Sequence, residues 1–201
     1  MPQLDVLQEM DPVPTSIIAS FRDSRSLVSI DREKISKNTI QGFIVDFDDE
    51  WILLHYVYDF QVDGWLMLRR YDITALQSKT TDVFQKVLLE EENVYASIDF
   101  SRRIPTVGIA QLIANFDKQK VVILEEETED DDTFNIGFVI GIEDDFVSLR
   151  TFSGAGRFDE DDALVALEEL TSLSFDSNYA LYYERYFSRR RIEEEAEQAA
   201  T

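Results

Sequence analysis

Gly42-Phe43-Ile44-Val45, followed by Asp48-Asp49-Glu50-Trp51-Ile52-Leu53-Leu54, is the stretch that decides the architecture, because the chain repeats it 95 residues later. Gly137-Phe138-Val139-Ile140 and Glu143-Asp144-Asp145-Phe146-Val147-Ser148-Leu149 carry the same pattern of glycine, apolar run, acidic turn and apolar run. Upstream, Ile17, Ile18, Ala19 and Phe21 answer to Leu112, Ile113, Ala114 and Phe116 at that offset. Downstream, after a two-residue insertion, Asp72-Ile73-Thr74-Ala75-Leu76 answers to Glu169-Leu170-Thr171-Ser172-Leu173. A period of this length points to a duplicated domain rather than a solenoid, since each copy is long enough to close a small core.

Within each copy the reading is a short helix followed by short strands. Ile17, Ile18 and Phe21 recur at helical spacing after Pro14-Thr15, as do Ile109, Leu112, Ile113 and Phe116 after Pro105-Thr106. Strands are expected near Leu27–Ile30 and Val121–Leu124. The acidic triplets then turn two hairpins, Gly42–Phe47 with Trp51–Tyr58 and Ile136–Ile142 with Phe146–Phe152. Polar turns at Gln61-Val62-Asp63-Gly64 and Ser153-Gly154-Ala155-Gly156 lead to fourth strands, Trp65–Tyr71 and Ala163–Leu167. The copies diverge in their last thirds. The first has a helix over about Thr81–Glu92, with Val83, Phe84, Val87 and Leu88 on one face, and a strand over Val94–Phe100. The second has a Tyr179, Tyr182, Tyr183, Tyr186 and Phe187 helical stripe, Arg189-Arg190-Arg191 and an acidic tail.

This order resembles that of the Sm-like proteins. Gly42 opening the second strand, the apolar run Trp51-Ile52-Leu53-Leu54, and Leu68-Arg69-Arg70-Tyr71-Asp72-Ile73 near the family's second motif carry the resemblance. It implies a mainly β, α+β fold of two tandem small SH3-like barrels, each preceded by a short helix. The repeats are expected at residues 13–103 and 104–192, with 193–201 a frayed acidic tail. It does not carry the family's RNA-reading residues. No Asn follows Asp46 or Asp48 in place, Tyr71 or Arg70 stands where the motif has Gly, and Val165-Ala166-Leu167-Glu168-Glu169-Leu170 contains no Arg.

Charge narrows the partners. Acidic residues number 41 against 19 basic, a net charge of -22. Residues 1–104 hold 18 acidic and 11 basic side chains and residues 105–201 hold 23 and 8, so the second copy contributes most of the excess. That field repels nucleic-acid phosphates and anionic lipid and attracts basic surfaces. The start, Met1-Pro2-Gln3-Leu4-Asp5, lacks a signal-peptide pattern, and no apolar run approaches a membrane span, so the cytoplasm is the expected location.

Catalytic chemistry is sparse. There is no cysteine, and the single histidine, His55, lies in an apolar strand pattern that reads as structural. Zinc sites of the usual kind are thereby excluded, and Ser78, Thr80 or Ser101 has no sequence link to His55 as a nucleophile. Neither phosphate-cradle nor dinucleotide motif is present, so no cofactor is expected. The acidic runs Glu125–Asp132 and Asp159–Asp162 are contiguous, which suits a solvated margin better than a metal site. The expectation is a non-enzymatic adaptor, regulator or inhibitor that binds a basic protein, with self-association through strand edges as a further possibility. A divergent Sm-like RNA-binding protein and an unrecognised hydrolase are the alternatives. The partner-contact candidates are Trp65, beginning a strand after Gly64, and the acidic residues Glu129, Asp130, Asp131, Asp132, Asp159, Asp161 and Asp162.

Overall fold

Gly42 and Gly137 open the repeated motif because no side chain fits there. In the computed structural model a Cβ on Gly42 would stand 3.0 Å from the His55 carbonyl oxygen, and one on Gly137 only 2.5 Å from that of Arg150. Both glycines let two strands of a hairpin approach closely. The structure describes residues 13–106, 108–128 and 132–199.

The first half contains α1 (Thr15–Ser24), β1 (Leu27–Arg32), β2 (Ser36–Phe47), β3 (Trp51–Tyr58), β4 (Gln61–Arg69), β5 (Ala75–Gln77) and α2 (Thr80–Glu91). The second contains α3 (Ile109–Ala114), β6 (Val121–Glu127), β7 (Asp132–Glu143), β8 (Phe146–Thr151), β9 (Ala163–Ala166), β10 (Ser172–Phe175) and α4 (Asn178–Ala199). α1 ends where Arg25 takes a left-handed conformation and the Ser26 N–H donates to the Phe21 carbonyl. The β2–β3 turn is held by the Asp48 carboxylate, which accepts the Glu50 and Trp51 N–H groups. Asp144 and Asp145, both at positive φ, make the β7–β8 turn. α2 is anchored by Asp82, fully buried, whose carboxylate accepts from Ser29, Gln41 and the Lys79 N–H.

Ten strands form one sheet in the order β5-β1-β2-β3-β4-β10-β6-β7-β8-β9. This corrects the expectation of two closed Sm-like, SH3-like barrels: the sheet is open. The physical reason lies in β4. Its outer edge is not turned back on β5 of its own half but pairs antiparallel with β10, with Leu68 opposite Ser172 and Trp65 opposite Phe175. β5 pairs with β1 and β9 with β8, and among the described residues neither carries a further strand on its other side.

Burial follows from this joint. Ile52 and Leu54 of β3 pack with Leu66 and Leu68 of β4, Ile18, Val28, Ile30, Ile44 and Ile73 into a first-half core. The alternate residues Trp51, Leu53, Trp65 and Met67 enter a larger cluster shared with Leu112, Ile113, Val147, Leu149, Leu173 and Phe175 of the second half. β3 and β4 are therefore covered on both faces, which is why they read as unbroken apolar runs. Burying Trp51, Leu53 and Met67 there contributes about 1.5–3 kcal/mol apiece.

Four local readings also change. The turn after β3 is made by Asp59 and Phe60, both at positive φ, while Gly64 lies within β4. Val94–Phe100 is not a strand but a single 3-10 turn at Tyr95–Ser97 with irregular flanks. α2 turns Leu89 inward and leaves Val83, Phe84 and Val87 exposed. The backbone of 193–199, expected to fray, continues α4. Glu129, Asp130 and Asp131, the N-terminal start at Met1–Asp5 and the last two residues of the tail lie outside the described residues.

Candidate functional site: an acid-rimmed cleft between the halves

The repeated acidic turns converge. Asp49 and Glu50 precede β3, Asp144 and Asp145 precede β8, and Glu168 follows β9. All five are exposed and line one cleft of about 690 Å3. Its apolar walls come from Trp51, from Ile109 and Ala110 in the first turn of α3, and from Phe146, Ala166 and Leu167. The cleft therefore lies at the junction of the halves, with the β4 end on one side and the start of α3 on the other.

Two arginines stand in the same cleft, yet their terminal nitrogens are engaged. Arg69 donates to the Leu167 and Glu168 carbonyls at 2.7 Å each and lies over the Trp51 ring, 5.2 Å from its centroid. Arg70 donates to the Asp48 carbonyl at 2.7 Å, to the Val13 carbonyl and to the Thr15 hydroxyl. Arg69 clamps backbone across the junction, Arg70 ties the β2–β3 turn to the start of α1 within the first half, and the carboxylates are left as the outward-facing charge. Buried within the same wall, Trp51 Nε1 has no hydrogen-bond partner among the described residues.

The residues singled out from sequence are placed elsewhere. Trp65 is buried at the β4–β10 joint, 6% exposed, stacked on His55 at 4.2 Å between centroids and covered by the Arg102 guanidinium. Asp159, Asp161 and Asp162 are exposed in the loop before β9, with Asp162 paired to Arg150 at 3.1 Å, and none lines the cleft. Asp132 begins β7 opposite Glu127. The first part of the acidic run is not a solvated margin. Glu125 accepts from the Ser172 hydroxyl and Glu127 pairs with Arg32, both from within β6. Trp51, Phe146 and the paired acidic turns were missed as a site; the signal available was that both copies place acids immediately before a strand that opens on a large aromatic, Trp51 or Phe146.

His55 is held by burial and by the segment at Asp99. Its Nδ1 accepts the Asp99 N–H at 3.2 Å, and burial pushes its pKa below the ordinary imidazole value, against the opposing pull of the Asp99 carboxylate. The Ser101 hydroxyl donates to Asp99 and the Ser78 hydroxyl to the Leu27 carbonyl rather than to His55. Among the described residues no cluster of three or more His, Asp or Glu is arranged to hold a metal ion. Nor, among them, is any helix long and apolar enough to cross a membrane. No protein-family model, no curated protein and no solved structure matches the chain.

Proposed function

We propose that this chain is a non-enzymatic interaction protein whose cleft between the halves receives a basic segment of a partner protein, anchored by one apolar side chain. The observation that carries this reading is the cleft's division of labour. An apolar floor of Trp51, Ile109, Ala110 and Leu167 suits a buried anchor, and five exposed carboxylates on the rim suit Lys or Arg flanking it. Net charge -22 adds long-range attraction that raises the association rate with a basic partner. The engagement of Arg69 and Arg70 with backbone oxygens leaves the cleft poorly suited to a phosphate-bearing ligand. The free edges of the sheet offer a second surface for association.

The test uses synthetic peptides that combine Arg or Lys with a single Leu or Phe, titrated against the full chain by fluorescence anisotropy. Neutralising the rim (Glu50→Gln, Asp144→Asn, Asp145→Asn and Glu168→Gln together) should weaken binding, with the wild-type advantage shrinking as salt rises. Filling the floor with Ala110→Trp should weaken binding at any salt. Peptides that bind the filled variant as tightly as wild type would show attraction to the acidic surface at large and overturn the cleft as the site.

A further inference from the structure

The β4–β10 joint has an unused copy of each of its two surfaces at the ends of the sheet. Registers define the equivalences. Leu53 of β3 lies opposite Met67 of β4, as Ser148 of β8 lies opposite Leu164 of β9. Ile30 of β1 lies opposite Leu76 of β5, as Leu124 of β6 lies opposite Leu173 of β10. Within the joint Leu173 faces Met67, and both are fully buried. Their counterparts are not: Leu164 is 67% exposed on the β9 edge, and Leu76 is half-buried on the β5 edge.

The same contrast extends beyond the strand edges. On the receiving side, Val45, Trp51 and Met67 of the first half are buried in the shared cluster. The matching Ile140, Phe146 and Leu164 of the second half stand exposed as an apolar patch. On the entering side, Leu112 of α3 is buried in the shared cluster, whereas the matching Ile17 of α1 is 42% exposed. One end of the molecule thus displays the surface that the first half presents inside the joint. The other end displays the surface that the second half presents.

We propose that the occupant of these edges is a second copy of this chain, docked head to tail. Its β5 lies antiparallel along β9 with Leu76 opposite Leu164, Ala75 opposite Val165 and Gln77 opposite Ala163. This is the register obtained by transposing the internal pairs Leu173–Met67, Ser172–Leu68 and Ser174–Leu66. The docking brings Ile17 toward the Ile140–Phe146 patch. Edge strands displaying apolar side chains without blocking charge at their centre are templates for such pairing.

The second joint is weaker than the first. Ala166 stands where Arg69 clamps the internal joint, so the two hydrogen bonds to Leu167 and Glu168 have no counterpart. Asp159, Glu160, Asp161 and Asp162 adjoin β9, and each copy carries net charge -22, so repulsion opposes association. Added salt therefore strengthens this contact, opposite to its effect on a basic partner in the cleft. Because the two surfaces differ, the contact is heterologous and its repetition generates a closed ring or an open filament.

The absence of native cysteine makes the register directly testable. Leu76→Cys and Leu164→Cys variants of the full chain are mixed under mild oxidation, with each variant alone as control and far-UV circular dichroism confirming the fold. The mixture is expected to give the 76–164 cross-link, since directly opposed strand positions fall within disulfide reach, and either variant alone is expected to give far less. Sedimentation of the wild type should show species above the monomer that increase with protein and salt concentration. Leu164→Lys, at an exposed position, should weaken that self-association by about tenfold or more. A wild type that stays monomeric at every concentration, or cross-linking of each variant with itself as readily as in the mixture, would overturn the proposal.

Discussion

Arg32 at the end of β1 and Glu127 at the end of β6 form a two-pronged ion pair, with Nη1–Oε2 and Nη2–Oε1 distances of 2.5 and 2.7 Å. Their side chains are 4% and 12% exposed, so the pair is desolvated. The Thr171 hydroxyl and the Arg69 N–H extend the connection: Thr171 donates to Glu127 and its carbonyl accepts from Arg69. The two halves are thereby tied by charge as well as by the β4–β10 joint.

Removing one member of this pair strands the other. Glu127→Gln should cost about 3–5 kcal/mol in urea denaturation, because the Arg32 charge stays buried without its counterion. Replacing both, with Arg32→Met and Glu127→Leu, should recover most of that loss. A double variant as unstable as the single one would mean that the pair's value is in its shape rather than in charge compensation.

Asp72 lies beside this network, and burial raises its carboxyl pKa, with the nearby Arg32 and Arg69 charges opposing and Glu127 adding to the rise. A carboxyl with a raised folded pKa loses stability as pH climbs from the unfolded to the folded value, and the loss persists above it. Asp72→Asn should therefore raise the denaturation midpoint at neutral pH. The gain should shrink as pH falls into the ordinary carboxylate range, where wild-type Asp72 is protonated in both states. A gain unchanged across that range would attribute the effect to packing.

The open sheet was encoded in a feature that admits two meanings. Trp51-Ile52-Leu53-Leu54 is apolar at every position, whereas Val147-Ser148-Leu149-Arg150 alternates. Two buried faces on the first and one on the second follow directly from strand periodicity. What covers the second face of β3 is a long-range choice made by the free edge of β4, and nothing local to β4 marks it as pairing with β10 rather than curling back. Most strands were legible for the converse reason, since hairpins are specified by nearby turns and alternation. The cleft was not, because its acids come from turns far apart in sequence and are assembled only by the joint. Local chemistry likewise concealed the fate of Glu125 and Glu127. Seven acids in eight residues resemble a solvated run, yet two of them are held by Ser172, Thr171 and Arg32 from distant strands.

His55 supplies an internal pH probe, being the only imidazole in the chain. Burial holds its folded pKa below the ordinary value of about 6.5, so its contribution to stability is complete above that value and declines as pH falls toward the folded pKa. The imidazole C2 proton should titrate below the ordinary midpoint in an NMR experiment. Asp99→Asn should lower the midpoint further, because it removes a carboxylate that favours the protonated ring. An unchanged or higher midpoint would show that the carboxylate does not act on His55.

Three glycines separate backbone strain from collision at the joint. Gly64 has φ +73°, and an added Cβ would fall 2.5 Å from the Asp176 carbonyl carbon and oxygen and from the Ser177 nitrogen, just after β10. Gly108 has φ +91° with nothing within 4 Å of the added atom, while Gly141 has neither constraint. Gly64→Ala must disfavour the native backbone and also push β4 away from the segment that follows β10, so it should be the most destabilising of the three. Gly108→Ala should cost about 1 kcal/mol from conformation alone, and Gly141→Ala should be neutral or stabilising by up to about 1 kcal/mol through reduced freedom of the unfolded chain. Chemical denaturation of the three variants gives the ranking. Equal losses at Gly64 and Gly108 would mean that the Gly64–Asp176 approach yields without cost, and that the joint is looser than its register implies.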